Sequence, residues 1–163
     1  MEVKLLSCTH LNPALPSLED LGDVSMMLES PVGTEQERLV EFAARVCYRS
    51  TDKMGRNPGF IQARVREGHE DIVEHVTFVV HVTGVEDDDP LQGDGPVRWR
   101  MTNRHLDVTP WEGGWVVSGN ARVWLDLFRK GLALDVLPLV RPLAPAIYAE
   151  FAEEGASPEG GRL

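Results

Sequence analysis

The stretch Gly68–Val82, GHEDIVEHVTFVVHV, constrains this chain more than any other part of it. Gly68 can take the left-handed conformation that ends a helix. Asp71, followed three residues later by Glu74, has the spacing of a capping box. From Val76 the residues turn β-branched and aromatic, which predicts a strand through Thr83. Polar side chains are thus delivered at a helix-to-strand junction, and His69, Glu70, Glu74 and His75 are the candidates for chemistry there.

Two helices are expected to feed this junction. Thr34 with Glu37 forms a capping-box pattern, and Leu39, Phe42, Ala43 and Val46 recur at helical spacing as one apolar face. Asn57-Pro58 reads as a cap followed by proline at the first helical position, with Phe60, Ile61 and Val65 as apolar contacts. Upstream, Val3, Leu5 and Leu6 suggest a first strand, while Leu18–Leu28 is ambiguous because Gly22 interrupts it. Downstream, residues 85–96 carry an acidic run and then Gly93-Asp94-Gly95-Pro96, expected to be a loop insertion outside the core. Val97–Thr102 reads as a return strand and Trp115–Val117 as another. Ser118 or Asn120 can cap a helix striped with Val123, Trp124, Leu127 and Phe128 and closed by Gly131. Three prolines break Leu132–Phe151 into two short helices, and residues 154–163 read as a flexible tail beyond a single domain over 1–153. Strands and helices mix without regular β-α-β alternation. The expected class is α+β, a small mixed or mainly antiparallel sheet covered by helices.

Charge and composition exclude several functions. With 26 acidic against 16 basic residues the net charge is -10, which repels phosphate over any broad surface and argues against a nucleic-acid-binding face. The local cluster Arg98–Arg104 leaves one small phosphorylated ligand open. No apolar run is long enough to span a bilayer and the start lacks a secretory pattern, so a cytoplasmic protein with no membrane partner is expected. Cys8 and Cys47 form no metal pair and read as inert thiols, Cys47 on a core helix. His69 and His75 lie six residues apart, off the spacing that shares a helical face, and no metal is expected. Ser7, Ser50 and Ser118 sit in no nucleophile-elbow pattern.

Two constellations remain. Glu74-His75 at the strand start offers an imidazole able to donate to a carbonyl or stack on a planar ring; a capping box beside a half-buried histidine explains the same residues. Ser118-Gly119-Asn120-Ala121-Arg122, at a strand-to-helix turn, offers backbone amides, a side-chain amide and a guanidinium to a phosphate, a carboxylate or the polar edge of a heterocycle. An ordinary cap with a surface arginine explains that one equally.

Taken together, Ala43-Ala44-Arg45-Val46-Cys47-Tyr48, then Gly68-His69-Glu70-Asp71-Ile72-Val73-Glu74-His75-Val76-Thr77-Phe78, then Asn120-Ala121-Arg122, resemble in order and style the blocks of the flavin-dependent thymidylate synthases. The resemblance implies an α+β homotetramer, or at least a homo-oligomer such as a dimer, with flavin sites between subunits. It implies reductive methylation of dUMP, with methylenetetrahydrofolate giving the carbon, reduced FAD the hydride, and NADPH reducing the flavin. By position His75 matches a histidine touching the flavin, and Asn120 and Arg122 match residues at the flavin and the neighbouring subunit. His69 and Glu74 join them as cofactor-binding candidates; Arg98, Arg100, Arg104 and Arg129 are the candidates for substrate or phosphate.

The chain also departs from that pattern. The signature RHRxxSxNxxSxRY is replaced by VEDDDPLQGDGPVRWRMTNRHL, in which Arg104-His105 is a faint echo. Gly131 stands where an arginine is expected, and Arg129, two residues earlier, lies about 200° away around a helix. The alternative reading is a catalytically lapsed relative, a flavin- or nucleotide-binding or purely structural oligomer.

Overall fold

The computed structural model describes residues 1–86 and 88–151, so the tail expected at 154–163 lies outside the described residues. Four strands, β1 (Glu2–Cys8), β2 (Thr77–Thr83), β3 (Asp107–Trp111) and β4 (Gly114–Asn120), form one antiparallel sheet in the order β1-β2-β4-β3. The expected α+β architecture is therefore the observed one. In the two central strands Phe78, Val80 and Val82 pair with Gly119, Val117 and Trp115. Strand alternation turns these residues to one face, and Phe78, Val80, Val82 and Val117 are fully buried there. A bulge between Leu5 and Ser7 leaves Leu6 exposed on the edge strand. Glu112 and Gly113, both at positive φ, turn β3 into β4; the two residues match the mirror-image turn that suits twisted hairpins.

The helices are α1 (Val24–Glu29), α2 (Glu35–Cys47), α3 (Phe60–Arg66), α4 (Pro96–Thr102), α5 (Ala121–Arg129) and α6 (Leu137–Val140). Helix α5 follows β4 without an intervening residue, and its Val123, Trp124, Leu127 and Phe128 are buried as their spacing predicts. Trp99 of α4 meets Trp124 edge-on at 6.3 Å between ring centroids. Tyr148, fully buried, donates its hydroxyl to the Ala121 carbonyl at 3.2 Å, which ties the C-terminal segment to the start of α5.

Several local expectations are corrected. Val97–Thr102 is a helix, not a strand: Pro96 occupies its first turn, and the Asp88 carboxylate accepts from Val97 N at 3.0 Å. Asp94 accepts from Trp99 Nε1 at 2.5 Å and from Ala133 N at 3.1 Å. The acidic insertion is thus partly an anchor for α4, and Gly95 has room for no side chain, since a Cβ there would lie 2.4 Å from Asp88 Oδ1. Helix α3 begins at Phe60 rather than after Asn57, whose side chain instead closes a turn by accepting from Gly59 N. The ambiguous Leu18–Leu28 stretch turns helical only after the positive-φ residues Asp20 and Gly22, in α1. After α5 only α6 forms, flanked by 3-10 turns at Leu134–Val136 and Ala149–Phe151; the second short helix is absent from the described residues.

Helix α2 holds a larger surprise. Its capping box forms, with Thr34 Oγ1 accepting from Glu37 N and Glu37 accepting from Thr34 N. However, the face turned inward is not the Leu39-Phe42-Ala43-Val46 stripe; it carries Gln36, Glu37, Val40, Glu41, Ala44 and Arg45. Each polar group on that face finds a partner, as burial demands. Gln36 donates to the Thr9 carbonyl at 2.8 Å, and Glu37 accepts from Ala146 N at 2.5 Å. Glu41 accepts from Arg45 at 3.1 and 3.0 Å and from Gly55 N, while the Arg45 guanidinium lies 3.8 Å over the Phe60 ring. Val46 is left 51% exposed, and Cys47, expected in the core, is exposed as well.

Candidate functional site

The junction before β2 is a 3-10 helix, Glu70–His75, entered from Gly68 at φ 80°. No side chain caps it, so the Asp71–Glu74 capping box does not form. This frees Glu74, whose Oε1 accepts from Arg122 Nη1 at 2.5 Å. The strand register explains the meeting. Thr77 pairs with Asn120, so the residues just before β2 and just after β4 must lie side by side. Asn120 ends the ladder and caps α5, its Oδ1 accepting from Val123 N at 3.0 Å.

These residues wall a cleft of about 380 Å³. Glu70, Glu74, Asn120 and Arg122 line it together with Asn103, His105 and Asp126. The last three are themselves braced: Asn103 Nδ2 donates to Asp126 Oδ2 at 3.0 Å, its Oδ1 accepts from His105 N, and Lys130 reaches Asp126 at 2.8 Å. Glu70 joins two arginines seven residues apart on α5, its Oε2 lying 3.8 Å from Arg122 Nε and its Oε1 accepting from Arg129 Nη1. Arg129 also donates to Glu150 at 2.8 Å. The Glu74 hydrogen bond holds the Arg122 guanidinium above its usual pKa. At Arg129 burial works the other way, yet Glu70 and Glu150 outweigh it and the pKa is again raised.

The cleft thus presents three carboxylates, one arginine, two side-chain amides and an imidazole. Such a mix of donors and acceptors suits the edge of a polar heterocycle. It does not suit a naked phosphate, which Glu70, Glu74 and Asp126 would repel. Of the flavin that the resemblance implies, the polar edge of the ring system matches these donors and acceptors in kind, and the pyrophosphate does not.

Of the sequence candidates, Glu70, Glu74, Asn120 and Arg122 converge on this cleft. His75 is exposed and does not line it. His69 points to Tyr48, its Nδ1 sitting 2.8 Å from the phenol oxygen. Arg98 and Arg100 hold the carbonyls of Gly93 and Arg104, respectively, and Arg104 is exposed, so the basic cluster braces its own loop. Arg129 lines a separate groove with α3. Sequence reasoning missed Asn103 and Asp126. Asp126 stands four residues after Arg122 and shares its helical face, a signal that was available; Asn103 is placed only by the end of α4. Among the described residues no group of three metal-binding side chains is assembled, and no helix is long and apolar enough to cross a membrane.

An α+β scaffold with a polar cleft at a strand-to-helix junction is the class this geometry defines. Residues 31–87, from α2 through β2, match the Thy1 family, described as thymidylate synthase complementing protein. The chain is 38% identical over 89 residues to a flavin-dependent thymidylate synthase of Corynebacterium diphtheriae, covering 52% of this chain and 32% of that protein. It is 36% identical over 56 residues to the Corynebacterium aurimucosum enzyme of the same name, covering 32% and 22%. With that of Mycolicibacterium vanbaalenii it shares 37% over 51 residues, covering 29% and 20%. The aligned stretches therefore span between a fifth and a third of these relatives' own length. Part of the chain is distantly related to the flavin-dependent thymidylate synthases. The family match takes in Glu70 and Glu74 and stops before Asn103, His105, Asn120, Arg122 and Asp126.

Proposed function

We propose that the protein is a homo-oligomeric flavin-binding relative of these synthases, acting on dUMP with methylenetetrahydrofolate and NADPH as co-substrates. The observation that carries this reading is the convergence of Glu74, from the family-matched stretch, with Asn120 and Arg122 in one polar cleft. FAD, when bound and reduced, would supply the hydride. The chain's own part would be orientation: the Asn120 amide and Arg122 would donate to ring carbonyls, while Glu70 and Glu74 fix the guanidinium and Asn103 holds His105 in place. The outward face of α2, with Val46 exposed and Leu39, Phe42 and Ala43 half-buried, supports association of chains.

One observation favours a second reading, binding without turnover. Arg122 and Arg129 are both neutralised by carboxylates, and Arg98, Arg100 and Arg104 stand outside the cleft, so among the described residues no uncommitted cation is held there for a nucleotide phosphate. Titration with FAD, with and without dUMP, tests the first step; unchanged flavin fluorescence and absorbance at high micromolar protein would end the flavin reading. Uptake of flavin without formation of thymidylate from dUMP would select the second reading.

A further inference from the structure

A second concave region, which Arg129 lines, lies between α3 and the segment that follows α6. It has two adjoining lobes, of about 290 and 570 Å³, which share Gln62, Arg66 and Ala149. Their combined size is that of a small-molecule site rather than a macromolecular interface. Val65 and Ile147 give the first lobe an apolar floor, and Pro142 and Pro145 do so in the second.

The charges around it are unlike the rest of the chain. Arg129 is committed to Glu70 and Glu150. Arg66 is exposed, and its guanidinium has no partner among the described residues. Arg141 spends one nitrogen on the Phe151 carbonyl at 2.9 Å, a neutral acceptor that leaves its charge uncompensated. Among the described residues, therefore, Arg66 and Arg141 both line one groove without a carboxylate partner, in a protein of net charge -10. A carboxylate would neutralise only one of them. A phosphomonoester, largely dianionic at neutral pH, neutralises both and offers oxygens to two guanidinium forks. The Gln62 amide, between the lobes, adds a neutral donor.

We propose that this groove binds a small phosphomonoester, its phosphate between Arg66 and Arg141 and its organic part on the floor of Val65, Ile147, Pro142 and Pro145. The site is separate from the Asn120 cleft and stands whether or not that cleft takes flavin.

The test is calorimetric titration of the full chain with phenyl phosphate and, separately, with inorganic phosphate, each at low and high salt. Saturable binding is expected, tighter for phenyl phosphate and weakened by salt. Loss of a charge-assisted hydrogen bond predicts a drop of roughly tenfold or more in Arg66→Glu and Arg141→Gln. Arg122→Ala, in the other cleft, should bind phenyl phosphate as the parent does. Because Arg66 is exposed and unpartnered, its variant decides the matter even where Arg141→Gln unfolds. Absence of saturable binding, equal affinity for the two probes, or an effect confined to Arg122→Ala overturns the proposal. Flavin uptake is read in its own titration, so failure of one site is distinguishable from failure of the other.

Discussion

Asn120 performs two tasks that two substitutions can separate. Its Oδ1 caps α5 through Val123 N, and its amide nitrogen is free to face the cleft. Asn120→Ala removes both. Losing a helix cap costs about 1 kcal/mol, which for a chain of this size lowers Tm by about 2–4 °C. Asn120→Asp keeps the oxygen acceptor and adds negative charge at a helix N-terminus, where it is favourable by about 0.3–1 kcal/mol. Its melting temperature should therefore exceed that of Asn120→Ala. In the cleft the same change deletes a donor and sets a fourth carboxylate beside Glu70, Glu74 and Asp126. A ligand carbonyl left unpaired costs about 1–3 kcal/mol, so FAD affinity should fall roughly tenfold or more. Thermal melts and FAD titrations on the three proteins check this. If Asn120→Asp binds FAD like the parent, the amide does not face the ligand; if it melts as early as Asn120→Ala, the capping assignment is wrong.

Glu41→Ala strands Arg45 in the interior and should cost about 3–5 kcal/mol in urea unfolding, whereas replacing both residues by apolar ones of similar volume should cost much less. Burial holds the Tyr148 phenol well above its usual pKa of 10.0, so folding favours the protonated form. Stability from this source is fully present below pH 10.0 and is lost as pH rises above it, and Tyr148→Phe should flatten that alkaline decline in equilibrium unfolding. Val46→Asp places a charge on the outward face of α2 without touching the core, and light scattering should then report a mass near the single-chain 18.1 kDa where the parent reports a multiple of it.

The two central strands were legible because β-branched runs bounded by glycine leave few alternatives, and α5 because its cap, stripe and closing glycine all agree; edge strand β3 had no reading of its own. Elsewhere local signals misled. Val97–Thr102 looks like a strand until Asp88 and Asp94, read as solvated loop residues, are seen to pin a helix from outside it. The α2 stripe looks like a core face because periodicity reports amphipathicity, not which side faces the rest of the chain. Glu37, Glu41 and Arg45 face inward because partners from Ala146, Gly55 and Phe60, distant in sequence, receive them. In the candidate site Asn120 and Arg122 were readable as a pair. Their meeting with Glu74 depended on strand register, which no stretch of sequence states by itself.

The direct passage of β4 into α5 gives the cleft a mechanical character. With no linker between ladder and helix, Asn120 and Arg122 cannot swing like a lid; they can move only with the hydrophobic interior. A guest would meet a pre-set shape, losing little freedom of the host on arrival. The Val123 amide should exchange with solvent hydrogen about as slowly as the core itself opens.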